Sequence, residues 1–330
     1  MRIFSGIQPT GKKHLGNYIG AIRRYVEAQD RGDPSIFCIV DLHAITVAFE
    51  PETLRENVYD TTAILLAAGL DPERCVLFRQ SDVQEQTELA WLLGSVTAHG
   101  DLNRMHQFKE KSANQRDLVS AGLFFYPVLM AADVLAYGAH EVPVGDDQRQ
   151  HVELMREIAR RFNERFGETL VVPEHRIPEI GARVMDLQNP ERKMSTSVAG
   201  DAGRVLVLDD EKAIRKKFGS AVTDSGRDVV RGEDKAGVTN LIGILSVATG
   251  KDEAEIEKDF EGAGYGDFKK AVADAVVEFL APVREAYPAI REDEAGIERI
   301  LERGAIQARE IASATLADVR DAMGVGAPRK

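Results

Sequence analysis

Short apolar runs alternate with helical patterns through the first half of the chain, and that alternation restricts the folds open to it. Residues 2–7 read as a strand and 14–31 as a helix. Residues 36–40 read as a second strand, followed by a helix over 51–69. Pro51 suits a first helical turn, where its missing N–H costs nothing, and Gly69 suits a helix end. Residues 75–80 are a third strand and 84–98 a further helix. Strands that are apolar throughout, rather than alternating, are buried on both faces. Separated by helices, they predict an α/β fold: a Rossmann-like parallel sheet with helices on both faces. In such sheets ligands sit beyond the carboxyl ends of the strands, where residues 5–16 and 41–46 fall.

The second half changes character. Residues 101 to about 138 have a helical pattern. A short strand-like run over 141–144 leads into Gly145-Asp146-Asp147-Gln148, and a helix continues to about Gly167. Asp146 and Asp147 are placed to cap that helix. Beyond Asp210 the pattern is helical throughout, punctuated by Gly237, Gly250, Gly262, Gly264 and Gly266. A boundary near Leu208 therefore separates an α/β part from an all-α C-terminal domain.

A chain of 330 residues has room for two or more domains, and 44% hydrophobic residues supply a core. The net charge of −12 argues against a protein coated in positive charge for nonspecific nucleic-acid binding, though it allows a local basic stripe. Cys38 and Cys75 lie in apolar runs outside any CxxC pair, so they are expected to be buried core thiols. No apolar stretch is long enough to span a membrane and no signal peptide is recognisable, which predicts a soluble, cytoplasmic protein.

Two short polar motifs carry chemistry. His14-Leu15-Gly16-Asn17 follows the first strand and opens a helix, and Lys193-Met194-Ser195-Thr196-Ser197 is a polar loop before the apolar run 205–208. Alone, the first is an ordinary loop-to-helix junction and the second a solvated loop. Together they suit a nucleoside triphosphate held from two sides. A helix start with a small glycine lets backbone N–H groups meet phosphate oxygens, and a Lys-Ser loop adds charge and hydroxyl donors. The turn Gln8-Pro9-Thr10-Gly11 before His14 keeps the backbone open to close approach.

The two motifs, with Ile3-Phe4-Ser5-Gly6-Ile7-Gln8-Pro9, Cys38-Ile39-Val40-Asp41, His43-Ala44-Ile45-Thr46, Gln107-Phe108-Lys109-Glu110-Lys111-Ser112-Ala113, Met130-Ala131-Ala132-Asp133, Val142-Pro143-Val144-Gly145 and Ala221-Val222-Thr223-Asp224-Ser225, cover nearly the whole chain. In these segments it resembles the class I aminoacyl-tRNA synthetases, and among them the bacterial-type tryptophanyl-tRNA synthetases. His14–Asn17 looks like that family's HIGH motif in a form ending in Asn, and residues 193–197 like its KMSKS loop.

The resemblance implies a homodimer that activates L-tryptophan with ATP, Mg2+ accompanying the phosphates with no dedicated protein ligands, and then charges tRNA(Trp). Tryptophan's carboxylate attacks the α-phosphorus, so no strong general base is needed. Alignment and stabilisation of the leaving pyrophosphate carry the rate. The implied domains are a catalytic domain over 1–208 and a helical anticodon-binding domain over 209–330. The first would hold a helical insertion at about 101–185 for the substrate pocket and dimer contacts. The last helix of the second would pack back on the catalytic domain.

By resemblance, Asp133 accepts the indole N–H, with Phe4, Met130, Val142 and Val144 as walls. His43 and Gln107 line the pocket, and Tyr126 and Gln148 hold the ammonium. A carboxylate inside the apolar run 126–137 is costly unless paired, which singles out Asp133 independently of the family. For ATP the resemblance places Gln8, His14, Gly16, Asn17 and Gln148 at the nucleotide. It places Asp147 at the ribose, Val184 and Met194 near adenine, and Lys111, Lys193 and Ser195 at the pyrophosphate. Gln8, Asn17, Lys111, Lys193 and Ser195 are the expected catalytic set. Arg215, Lys216, Lys217, Lys269 and Lys270 are candidate tRNA contacts.

One departure is visible: Thr196 stands where the family's loop carries Lys. Lys12 and Lys13, just before His14, are positioned in sequence to replace that cation. Three alternatives share these features: a tyrosyl-tRNA synthetase, a catalytically impaired synthetase-like protein that binds or regulates through tRNA, and a nucleotidyltransferase with the same two motifs and no tRNA role, against which the long helical C-terminal part argues.

Overall fold

The computed structural model describes residues 1–106, 119–145, 148–176, 184–195 and 201–327. Five strands form one sheet: β1 (Ile3–Ile7), β2 (Ser35–Ile39), β3 (Val76–Arg79), β4 (Glu141–Pro143) and β5 (Glu174–Arg176). Their order is β3-β2-β1-β4-β5 and every neighbouring pair is parallel. The chain steps outward from β1 to β3, then crosses to the other side of β1 for β4. The reversal between β1 and β4 opens the crevice in which such sheets bind ligands.

Successive side chains of a strand point to opposite faces, and the strands feed two cores accordingly. Ile7, Phe37, Ile39 and Leu77 pack into one cluster with Leu15, Ile22 and the helical C-terminal half. Phe4, Ile36, Cys38 and Phe78 pack into the other, with Val128, Ala132, Val152 and Ile158. Cys38 and Cys75 are both buried free thiols.

β5 is a strand the apolar pattern did not predict. Its residues, Glu174-His175-Arg176, carry no apolar run, and among the described residues it pairs only with β4, in the register Val142↔His175. A short polar strand suits a sheet edge, where exposed apolar residues would invite mispairing. The apolar run 205–208, in contrast, joins no sheet among the described residues. It makes an isolated antiparallel bridge to His14, with Leu15 N donating to Val205 O at 2.8 Å and Val207 N to Lys13 O at 2.9 Å.

Helix ends follow local chemistry. Pro51–Ala67 starts on its proline, and Gly69 takes φ 102° just past its end. Glu85–Gly94 is shorter than the predicted 84–98: the chain turns at residues 95–97 and resumes as His99–Asn103. Ala121–Leu135 is capped by Ser120 Oγ, which accepts from Leu123 N at 3.1 Å. Arg149–Phe166 is preceded by Gln148, so the residue at its cap position is one beyond the expected acidic pair.

Beyond Asp210 run Glu211–Gly219, Ala236–Thr249, Glu253–Asp259, Tyr265–Glu292 and Glu294–Met323. The last of these crosses the open edge of β3. Its Ile297 and Leu301 belong to the first core, while Ala305, Ala308, Ala312, Leu316 and Val319 belong to the second. Gly304 sits at the crossing, where a Cβ would lie 1.8 Å from Leu77 O. Arg79, at the end of β3, pairs with Glu298 at 2.9 Å. Among the described residues no helix is long and apolar enough to cross a membrane.

Candidate functional site

The first motif forms a reciprocal cap at a helix start. His14 takes extended backbone geometry, its Nδ1 accepts from Asn17 N at 3.3 Å, and Asn17 Oδ1 accepts from His14 N at 3.1 Å. For Nδ1 to accept, the imidazole must be neutral. Burial, then the charges of Lys193, Lys13 and Arg204, lower its pKa from 6.5 to about 4. The helix that follows, Leu15–Asn17, runs through a π-turn at Tyr18–Ile22 into Arg23–Asp30. Gly16 keeps this junction uncrowded: a Cβ would press on the His14 ring at 3.0 Å and touch Val184 Cβ at 3.6 Å.

The second motif returns along a hairpin. Met194 N donates to Val184 O at 3.0 Å, Asp186 N to Arg192 O at 2.8 Å, and Met185 bridges Lys193. Val184 and Met194 are buried, Lys193 is exposed and Ser195 half-buried. His14, Gly16, Asn17, Val184, Lys193 and Met194, from opposite ends of the α/β part, thus converge beside the end of β1. Gln8, exposed just after β1, lies in the same loop as His14.

Lys13 does not reach outward as the sequence suggested. It is 6% exposed, and its Nζ donates to Gln8 O at 2.6 Å and Thr10 O at 3.4 Å. Burial lowers its pKa to about 8, opposed by the charge of Asp60. Lys13 ties the loop together from inside and cannot replace a cation at position 196; Lys12 is exposed.

The second constellation lies over the carboxyl ends of β2 and β3. Tyr126, Met130 and Asp133 fall at helical spacing on one face of Ala121–Leu135. Asp133 is 2% exposed. Its Oδ2 contacts His43 Nε2 at 2.6 Å, and its Oδ1 accepts from Gln80 Nε2 and Gln86 Nε2, each at 2.7 Å. A carboxylate offers about four lone-pair positions, so one on Oδ2 is left beyond these three contacts. Gln80 is itself oriented by Leu42 N, which donates to its Oε1 at 3.1 Å. Sequence reasoning missed both glutamines. Standing at the end of a strand and the start of a helix, they look like boundary residues.

Around this carboxylate, Phe4 stacks on Tyr137 at 5.4 Å with planes 8° apart. Val142 is buried in the same core, with Met130 and Val144 half-buried against it. Tyr126 OH contacts His151 Nε2 at 2.7 Å, and burial pushes the phenol up to about 12. Gln148 lies at the start of Arg149–Phe166, its N donating to Gly145 O at 2.9 Å. Gln107, Lys109, Lys111, Asp146, Asp147, Thr196 and Ser197 lie outside the described residues. Among the described residues no group of three or more His, Cys, Asp or Glu is arranged to hold a metal ion.

The basic candidates of the helical half are largely neutralised. Lys217 is corrected from surface contact to buried ion pair: it is 7% exposed and meets Asp209 at 2.7 Å and Asp201 at 3.1 Å. Arg215 pairs with Asp274 and with Glu211, and Lys270 pairs with Asp274 at 3.0 Å. Lys216 is exposed, and Lys269 is half-buried with its pKa lowered by burial.

Comparison with known proteins fits this geometry. Residues 1–281 match the family described as tRNA synthetases class I (W and Y). A tryptophan–tRNA ligase of Caldanaerobacter subterraneus is 48% identical over 325 residues, 98% of each chain. The crystal structure of tryptophanyl-tRNA synthetase from Mycoplasma pneumoniae superposes with a TM-score of 0.92 at 35% identity, covering 98% of both chains. That of the Campylobacter jejuni enzyme complexed with ADP and tryptophan gives 0.83 at 36% identity, over 98% of this chain and 100% of the other. A tyrosyl-tRNA synthetase from Aeropyrum pernix, at 18% identity and a TM-score of 0.68, shares the fold. With two paired motifs at one strand end, a five-stranded parallel sheet and near-complete relatives, the chain belongs to the class I tRNA synthetases of the W and Y type.

Proposed function

We propose that this chain is a tryptophan–tRNA ligase. It activates L-tryptophan with ATP and transfers the amino acid to tRNA(Trp). The carboxylate oxygen of tryptophan bonds to the α-phosphorus as the bond to the β-phosphate bridge breaks, giving tryptophanyl-adenylate and pyrophosphate. The terminal ribose hydroxyl of the tRNA then takes the acyl group and AMP leaves. Tryptophan–tRNA ligases that match the chain over 98% of its length support the ligase activity.

The observation that carries the choice of amino acid is Asp133, a carboxylate inside an apolar core that accepts from two glutamine amides on Oδ1, touches the His43 ring nitrogen with Oδ2 and has one lone-pair position beyond these contacts. An indole needs apolar walls and a single fixed acceptor. Phe4, Met130, Val142 and Val144 are the proposed walls, with His43 and Gln107 beside them and Tyr126 and Gln148 at the ammonium.

Gln8, His14, Gly16, Asn17, Asp147, Val184, Met194 and Gln148 are the proposed ATP site, with Lys111, Lys193 and Ser195 at the departing pyrophosphate. The neutral state of His14 supports a role in shaping the loop rather than in carrying charge. Mg2+ enters as part of the ATP substrate, neutralising its phosphates.

Residues 1–208 form the proposed catalytic domain, with an insertion at about 101–185, and 209–330 the anticodon-binding domain. A cytoplasmic homodimer is the proposed working form. Of the basic candidates, Lys216 and Lys269 are the proposed tRNA contacts, since they stand outside the ion pairs that engage Arg215, Lys217 and Lys270 among the described residues. Arg215 and Lys270 would have to exchange Asp274 for phosphate.

The test is amino-acid-dependent ATP–pyrophosphate exchange with each standard amino acid, followed by charging of total tRNA. Exchange with tryptophan and charging of tRNA(Trp) are expected. Exchange with tyrosine alone, or none with any amino acid, would overturn the proposal.

A further inference from the structure

Asn240 makes an unusual contact for a residue of the helical half. Its side-chain amide takes both backbone groups of one residue across the domain boundary. Met185 N donates to Asn240 Oδ1 at 2.9 Å, and Asn240 Nδ2 donates to Met185 O at 3.1 Å. A primary amide presenting a donor and an acceptor side by side reproduces the edge of a neighbouring strand. Met185 is therefore gripped on both flanks, by Asn240 on one and by its bridge to Lys193 on the other.

The grip sits on a rigid element. Asn240 belongs to the helix Ala236–Thr249, whose Val238, Leu241 and Ile242 are buried in the first core. At the start of that helix a Cβ on Gly237 would lie 2.1 Å from Val222 O, so the helix is pressed against backbone that itself bonds Leu187, Val222 N donating to Leu187 O at 2.7 Å. Residues 184–187 are thus laced to the helical half at two points, Met185 and Leu187, and to the Lys193 strand by two backbone bonds. A cavity of about 400 Å3, lined by Ile19, Val184, Met185, Ala236 and Asn240, lies alongside and leaves space for the helix and hairpin to shift together.

We infer that Asn240 is a positioning residue for adenylate formation. It transmits the placement of the helix Ala236–Thr249 to the Met185 backbone, and through that backbone to Lys193. This rests on the proposed role of Lys193 at the pyrophosphate. Asn240 touches no reacting atom; it fixes where the Lys193 strand lies relative to the His14 loop. Val184, the next residue, packs near Gly16, so a slip of this strand would displace the two motifs against each other.

The experiment is steady-state ATP–pyrophosphate exchange on Asn240→Leu, which keeps the branching and heavy-atom count of the side chain and removes both bonds. Ile242→Val serves as a control that loosens the same helix without touching the grip. Asn240→Leu is expected to lower kcat/KM for ATP by about 10- to 100-fold, the cost of misplacing a reacting group by about an ångström. The KM for tryptophan should change less than about twofold, well under the 1.4 kcal/mol of a tenfold change, because the neighbours of Met185 and Asn240 pack in the first core whereas the helix that carries Asp133 packs in the second. Ile242→Val should lower the melting temperature and leave both constants in place. Equal changes in the two substrates' constants, a response of Ile242→Val matching that of Asn240→Leu, or normal ATP kinetics in Asn240→Leu would overturn the inference alone. Absence of tryptophan-dependent exchange in the unsubstituted chain would overturn the proposed function, and this role with it.

Discussion

Gln86 and Asp133, far apart in sequence, meet at 2.7 Å in the interior, both sealed from solvent. The bond holds one oxygen of the carboxylate, and Gln80 holds the same oxygen from the other side. Removing one donor of a buried pair leaves its partner under-solvated, at a cost of about 1–3 kcal/mol. Gln86→Leu should therefore lower unfolding free energy in urea by about that much and raise the KM for tryptophan, leaving the KM for ATP in place. An unchanged tryptophan KM would show that Asp133 needs no such support.

Asp133 itself should decide which ring is accepted. Asp133→Ala removes the proposed acceptor and should abolish most tryptophan-dependent exchange. The sharper measurement uses an analogue whose indole N–H is replaced by sulfur. A site built to hydrogen-bond its substrate rejects an analogue without the donor by roughly 10⁴-fold. That ratio should collapse in the variant. If Asp133→Ala keeps near-normal exchange and discrimination, another group reads the indole.

His14 gives a pH dependence with a definite sign. Its pKa is lowered from 6.5 to about 4, so between these values the unfolded chain binds the extra proton. The stabilising contribution is fully present above pH 6.5 and is lost as pH falls toward 4; below that it no longer changes. The shift corresponds to about 3 kcal/mol. Urea unfolding at pH 7 and pH 4.5 should show a larger loss for the unsubstituted chain than for His14→Gln. Parallel losses would mean that the imidazole is not held neutral.

Lys217 and Lys216 are neighbours with opposite expected phenotypes. Lys217 is buried against Asp209, and breaking one partner of such a pair costs about 3 kcal/mol. Lys217→Ala should lower the melting temperature, with tRNA affinity unchanged once folded. Lys216→Ala should leave melting unchanged and weaken tRNA binding with a reduced salt dependence, as expected for a lost phosphate contact. Identical effects of the two substitutions would reject this division.

The sheet was legible because fully buried strands announce themselves. Residues 2–7, 36–40 and 75–80 foreshadow β1, β2 and β3 within a residue or so at each end. β5 was not, because an edge strand of Glu-His-Arg has no apolar pattern to read. Asp133 stood out because a carboxylate in an apolar helix demands partners. Which partners it finds was hidden, since Gln80 and Gln86 reach it through the packing of separate elements. Lys13 shows the opposite failure. Its place beside His14 suggested a phosphate contact, but a flexible side chain can turn either way, and here it folds inward onto Gln8 and Thr10.

The crossing of β3 by the helix Glu294–Met323 has a consequence for how the chain is made. The strand edge it covers is complete long before the cover exists: Arg79 and its partner Glu298 are separated by 219 residues. At roughly 5–20 residues per second, ribosomes need on the order of 10–40 seconds to traverse such an interval. Throughout that time the nascent sheet presents an unpaired row of backbone groups, available to other chains on the same polysome. Crowding, translation speed and holdase chaperones should therefore govern the yield of this protein more than its finished stability does.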